Sequence, residues 1–150
     1  MKNALLLIAS IAALTACAGN RPPETPRRQA ITPPSAQRLA TYSTAVRSGN
    51  LYFFSGVIGT RDGERQLTTT GEQTHQVLQT IRGHLANVGL TPHDLVKCTV
   101  FLVDMRDYSE MNEVYAKFFE GGAPPARSAI GVAALPAGAR VEIECIAAAR

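Results

Sequence analysis

Apolar residues recur at two different periods along this chain. Val77, Leu78, Ile81, Leu85 and Val88 return at three- and four-residue intervals, the spacing that gathers side chains on one face of a helix. Ahead of them, Thr70-Gly71-Glu72-Gln73 has the spacing of a capping box, and Gly89 is placed to close the helix. Met111, Val114, Tyr115 and Phe118 form a second helical stripe, opened by Asp107-Tyr108-Ser109-Glu110 and closed by Gly121-Gly122. Other stretches read as strands. Leu51-Tyr52-Phe53-Phe54 is a short aromatic run ending at Ser55-Gly56, fed through a Gly49-Asn50 turn from an earlier strand through Tyr42 and Val46. Val96–Val103 is β-branched and apolar, and Arg127–Val132 and Val141–Ala148 flank a turn at Pro136-Ala137-Gly138.

The predicted order is strands, helix, strand, helix, two strands, an α+β arrangement with two helices packed on one face of a sheet. The other face is left needing cover. In a chain this small, a second copy of itself is the simplest cover, so the pattern predicts an oligomer.

The first residues do not belong to that pattern. Lys2 precedes a run from Ala4 to Ala13 rich in Leu, Ile and Ala, too short to span a bilayer, which takes about 20 apolar residues. A charged start, a short apolar stretch and then small residues is the form of a secretory signal. It ends in Leu14-Thr15-Ala16-Cys17, which resembles the lipobox of bacterial lipoproteins and implies a lipid on Cys17 as the first mature residue. An ordinary secreted chain with an incidental Cys17 is the alternative. Ala18 in place of Asp points to the outer membrane by the same resemblance. The expected division is a lipoprotein signal at 1–17, a Pro/Arg-rich spacer at 18–34 and one domain at 35–150. The spacer holds Pro22, Pro23, Pro26, Pro33 and Pro34 among Arg21, Arg27 and Arg28, a composition that favours a semi-rigid extended tether over a packed element.

Charge narrows the function. There are 15 basic and 12 acidic residues, a net charge of +3, and the basic excess sits largely in the spacer. No basic face with an aromatic platform is present, which argues against nucleic acid as a partner. His75, His84 and His93 are scattered, without the ligand spacing of a zinc site. With Cys17 assigned to lipid, Cys98 and Cys145 remain in an oxidising compartment. Buried free thiols are the default for cysteines in strand-like runs, while a bridge requires a Cα separation that sequence does not supply.

Candidate chemistry gathers near the C-terminus. Ala123-Pro124-Pro125-Ala126-Arg127-Ser128 holds an arginine between a stiff loop and a strand. Its planar fork of donors suits a carboxylate. In Val141-Glu142-Ile143-Glu144-Cys145-Ile146 two carboxylates share one face of an apolar strand by period two, an expensive placement unless they have partners or a task.

Pro125-Ala126-Arg127-Ser128, Leu135-Pro136 and Val141–Ala147 resemble the C-terminal signature of the RidA (YjgF-like) enamine/imine deaminases. Tyr42-Ser43, Ser55-Gly56, Val96–Phe101 and Met111–Phe119 agree with it, so the resemblance covers the chain after the spacer. It implies a chorismate-mutase-like fold, a homotrimer with pockets between subunits, and cofactor-free hydrolysis of a 2-imino acid or its enamine to a 2-keto acid and ammonia. Arg127 would grip the substrate carboxylate and Glu142 would activate water, with Glu144 in reserve if the strand faces the other way. Tyr42, Ser55, Gly56 and Asn112 would line or support the pocket. Two positions depart from the pattern: Ala40-Thr41 stands where many members have Gly-Pro, and Ala129 where many have Cys. Export sets the domain apart from the cytoplasmic enzymes that generate most enamines, which keeps an alternative open: a non-catalytic module binding small carboxylates or a partner.

Overall fold

The computed structural model describes residues 28–32, 41–63 and 65–150. The leader, Cys17 and most of the spacer lie outside the described residues. Among the described residues, eight strands and two α-helices follow one another: β1 (Gln29–Ile31), β2 (Ala45–Ser48), β3 (Leu51–Ile58), β4 (Arg61–Asp62), β5 (Arg65–Gln66), α1 (Thr70–Ala86), β6 (Leu95–Leu102), α2 (Tyr108–Phe118), β7 (Ala126–Gly131) and β8 (Val141–Ala148). β4 and β5 form a small separate hairpin, and the other six strands make one mixed sheet in the order β1-β2-β3-β8-β6-β7. Among the described residues only β6 and β7 are parallel neighbours, with α2 as their crossover; the remaining pairs are antiparallel. The α+β expectation therefore holds, with both helices on one face of the sheet.

That face is the core. Val77, Leu78, Ile81 and Leu85 of α1 and Met111 and Tyr115 of α2 pack against Phe54, Cys98, Val100, Leu102, Ile143 and Cys145. Removing each large aliphatic side chain from water contributes about 1.5–3 kcal/mol. The opposite face is uncovered in the single chain, and Phe53 and Ile130 there remain 42% and 45% exposed.

Several local features depart from the sequence-based expectation. The cap of α1 is Thr69, one residue earlier than Thr70: Thr69 Oγ1 accepts from Glu72 N–H (3.1 Å) while Glu72 accepts from Thr69 N–H (3.3 Å). Thr70 is unavailable because its buried hydroxyl donates to Asp107 at 2.6 Å. The far end closes as read: Gly89 has φ +73°, and Leu90 N–H reaches back to Leu85 O at 2.9 Å. β3 does not end at Ser55-Gly56 but continues to Ile58, its register against β8 shifting between Phe54 and Val57. β2 contains Val46 but begins after Tyr42, which stands exposed in the preceding segment. β1 lies inside the stretch read as spacer, pairing its main chain with β2 and packing Ile31 on the core. Cys98 and Cys145 are not free thiols. They sit directly opposite each other on β6 and β8 with Cα atoms 4.1 Å apart and are joined as a disulfide.

Candidate functional site

β7 and α2 together hold Arg127. Its strand position is in register with Cys98 of β6, so its side chain emerges on the helix-covered face, against α2. One turn after another, Tyr108, Met111, Asn112 and Tyr115 of α2 meet it. The guanidinium donates from Nη2 to Asn112 Oδ1 at 2.7 Å and to Tyr108 OH at 3.0 Å, and lies 4.5 Å from the centroid of the Tyr115 ring. Met111 Sδ is 3.9 Å from Nη1. These contacts orient the group without neutralising it, since among the described residues no carboxylate lies within ion-pair distance of Arg127. An oriented and unneutralised guanidinium is a carboxylate receptor. Asn112, Tyr115, Ala116, Phe119, Pro125 and Arg127 border a cavity of about 470 Å³ beside it. Tyr115 is itself 4% exposed, its hydroxyl has no hydrogen-bond partner among the described residues, and burial pushes its phenol up to about 12.

Glu142 belongs to a different neighbourhood. β8 alternates Val141, Ile143 and Cys145 into the core, which turns Glu142 and Glu144 to the uncovered face. There Glu142, Tyr42, Ser55, Gly56, Ile58 and Pro136 line a second cavity of about 340 Å³. The bulge at Ser55-Gly56 makes room for the carboxylate, because a Cβ at Gly56 would collide with Glu142 Oε1. Ser55 Oγ donates to Ser43 O at 2.7 Å, pinning the segment that carries Tyr42. Partial burial, and secondarily the negative charge of Glu144, raise the Glu142 pKa above its ordinary value. A carboxyl so placed is a better proton acceptor than an exposed one, which suits a general base.

The single chain thus brings Arg127 together with Asn112, and Glu142 together with Tyr42, Ser55 and Gly56, but it puts the two groups on opposite faces of the sheet. Sequence reasoning did not mark Tyr108 and Tyr115 as the cradle of Arg127. The signal was present in their seven-residue spacing around Asn112 on α2. Pro136 and Ile58 were likewise unmarked as walls. None of the three histidines borders either cavity. Among the described residues no cluster of three or more His, Cys, Asp or Glu side chains is placed to hold a metal ion, and no helix is long and apolar enough to cross a membrane.

Comparison with known proteins finds the same fold elsewhere. The family described as endoribonuclease L-PSP matches residues 33–149. A RutC family protein of Pyrococcus horikoshii is 41% identical over 111 residues, covering 73% of this chain and 87% of the relative. A mouse protein named 2-iminobutanoate/2-iminopropanoate deaminase is 40% identical over 111 residues, covering 73% and 82%. Among solved structures, the YjgF gene product of E. coli superposes with a TM-score of 0.73 at 32% identity, covering 81% of this chain and 99% of that one.

Proposed function

Because the chain belongs to the endoribonuclease L-PSP family, that of the RidA and YjgF proteins, we propose that it hydrolyses 2-imino acids and their enamine tautomers to 2-keto acids and ammonia. The observation that carries this reading is the pairing of chemistries in the two half-sites, an unneutralised guanidinium in one and a half-buried carboxylate of raised pKa in the other. Their placement on opposite faces calls for assembly: Arg127 of one copy faces Glu142 of another across each interface of a homotrimer. The uncovered sheet face carrying Phe53 and Ile130 supplies apolar surface for that association.

In such a site Arg127 binds the substrate carboxylate and holds the imine carbon near Glu142 of the second copy. Glu142 accepts a proton from water as the oxygen bonds to C2 and the C=N π pair moves to nitrogen. Glu142 returns that proton to nitrogen, giving the carbinolamine. It then takes the proton of the new hydroxyl group and passes it to the amino nitrogen as the C–N bond breaks, so that ammonia leaves with the C–N electron pair and the oxygen closes the C=O of the keto acid. The imine carbon is already electrophilic, so orientation and one general base suffice. The named activity of the mouse relative supports this choice over RNA cleavage.

We further propose that the domain is exported and anchored through Cys17. The lipobox-like Leu14–Cys17 segment supports that placement, and the Cys98–Cys145 bond is of a kind that persists in oxidising compartments.

The test supplies the full chain with 2-imino acids generated in situ by an amino-acid oxidase, with semicarbazide as the competing trap. Expected are faster keto-acid release and less semicarbazone, both lost in Arg127→Ala and in Glu142→Gln. Mixed assemblies of the two inactive variants should regain activity, because some interfaces then pair an intact Arg127 with an intact Glu142. Carboxylate binding without hydrolysis would replace this reading with that of a non-catalytic binding module.

A further inference from the structure

The cavity beside Arg127 is larger than the clamp requires. A carboxylate and an imine carbon bearing a methyl group occupy a small part of about 470 Å³. The walls next to the guanidinium are chiefly apolar: Tyr115, Ala116, Phe119, Pro124 and Pro125.

Those walls are stiff. Tyr115 and Phe119 are each 4% exposed, with ring centroids 4.9 Å apart, and Phe118 sets its edge on Phe119 at 4.9 Å. Consecutive prolines restrict the loop on the other side. Gly121, with φ +89°, and Gly122 border the cavity without side chains, and a Cβ on Gly122 would run into the His93 ring. The space is therefore built into the packing and is not a gap that a neighbouring rotamer would fill.

On the deaminase reading, we propose that this cavity takes the substrate's side chain and makes the enzyme selective for 2-imino acids with bulky apolar side chains over 2-iminopropanoate. Arg127 fixes the carboxylate at one end of the space, so the substituent on C3 extends along Tyr115 and Ala116 toward Phe119 and Pro124. Glu120 is the other charged residue on the wall and is exposed to solvent, leaving the inner surface to apolar contacts.

The experiment compares imines derived from alanine, leucine, phenylalanine and lysine in the semicarbazide competition, using the full chain and Ala116→Phe. Ala116 is an exposed helical position, so the larger side chain enters the cavity without disturbing the core. The wild-type chain should favour the leucine and phenylalanine imines over the alanine imine by about tenfold or more in kcat/KM, the scale on which apolar pockets discriminate. Ala116→Phe should reduce that ratio by a similar factor. A wild-type preference for the alanine or lysine imine, or a ratio unmoved by Ala116→Phe, would overturn the side-chain assignment while leaving deamination standing. Failure to hydrolyse any of the four would overturn the deaminase reading, and this proposal with it.

Discussion

Gly56 offers a perturbation that separates the chemistry from the fold. Its backbone is outside the left-handed region, so alanine is sterically permitted there as far as the main chain is concerned. Fewer unfolded conformations would by themselves favour Ala by about 0.4–1 kcal/mol. Against this, the new methyl would overlap Glu142 Oε1 and lie 2.8 Å from Glu142 Cδ and 3.2 Å from Cγ. The glutamate is half-buried at the edge of an open cavity and can swing aside, at a rotamer cost of about 0.5–1.5 kcal/mol. The two effects nearly cancel, so Gly56→Ala should unfold within about 1 kcal/mol of wild type in urea. Activity should respond very differently. A reacting group displaced by about 1 Å loses on the order of 10²-fold in rate, and loss of a general base costs about 10²- to 10⁴-fold. Gly56→Ala should therefore lower kcat/KM for imine hydrolysis by about 10²-fold, read as keto-acid release against the semicarbazide trap. A double-mutant cycle sharpens the test. In a Glu142→Gln background the alanine should cost little more, because both changes remove the same aimed carboxylate. Full activity in Gly56→Ala would refute the role of Glu142, and additive losses would show that Gly56 acts through some other contact.

Two further outcomes follow from the electrostatics and the cross-link. Glu142 must be ionised to accept a proton, so the acid limb of kcat/KM should lie above the ordinary glutamate value. Glu144→Gln removes the lesser of its two causes and should move that limb to lower pH without abolishing it, since burial remains; an unmoved limb would dissociate it from Glu142. The Cys98–Cys145 bond closes a separation of 47 residues, for which chain-entropy reasoning gives about 4 kcal/mol of stabilisation. Urea unfolding with and without reductant should show a loss of that order. Alkylation of both thiols in the unreduced, denatured chain would contradict the bond itself.

The parts of the fold written in local periodicity were legible before any coordinates. α1 and α2 follow from their apolar stripes, and β8 occupies the whole of the Val141–Ala148 run. The parts decided by distant partners were not. Thr69 rather than Thr70 caps α1 because Asp107, far along the chain, claims the Thr70 hydroxyl. The Ser55-Gly56 pair reads as a strand end, whereas β8 supplies pairing on both sides of it and converts a break into a bulge. Free thiols were the default for Cys98 and Cys145 because only the insertion of β8 beside β6 sets them opposite each other. The site shows the same limit. Arg127 and Glu142 stood out by residue type, but the face each occupies depends on strand register.

The strand order has a consequence for how this protein is made. β8, made after every other strand of this sheet, occupies its middle between β3 and β6. Until it arrives, two long strands present unpaired edges and the helices have half a floor to rest on. A nascent chain therefore cannot complete its sheet until β8 is free to insert between β3 and β6. Pairing across so many residues is slow by its topology, which lengthens the interval in which the finished chain is unstructured. That interval is when a chaperone would recognise it. A chain lacking β8 would keep both helices and the other strands, and would have nothing to hold the two halves of its sheet together.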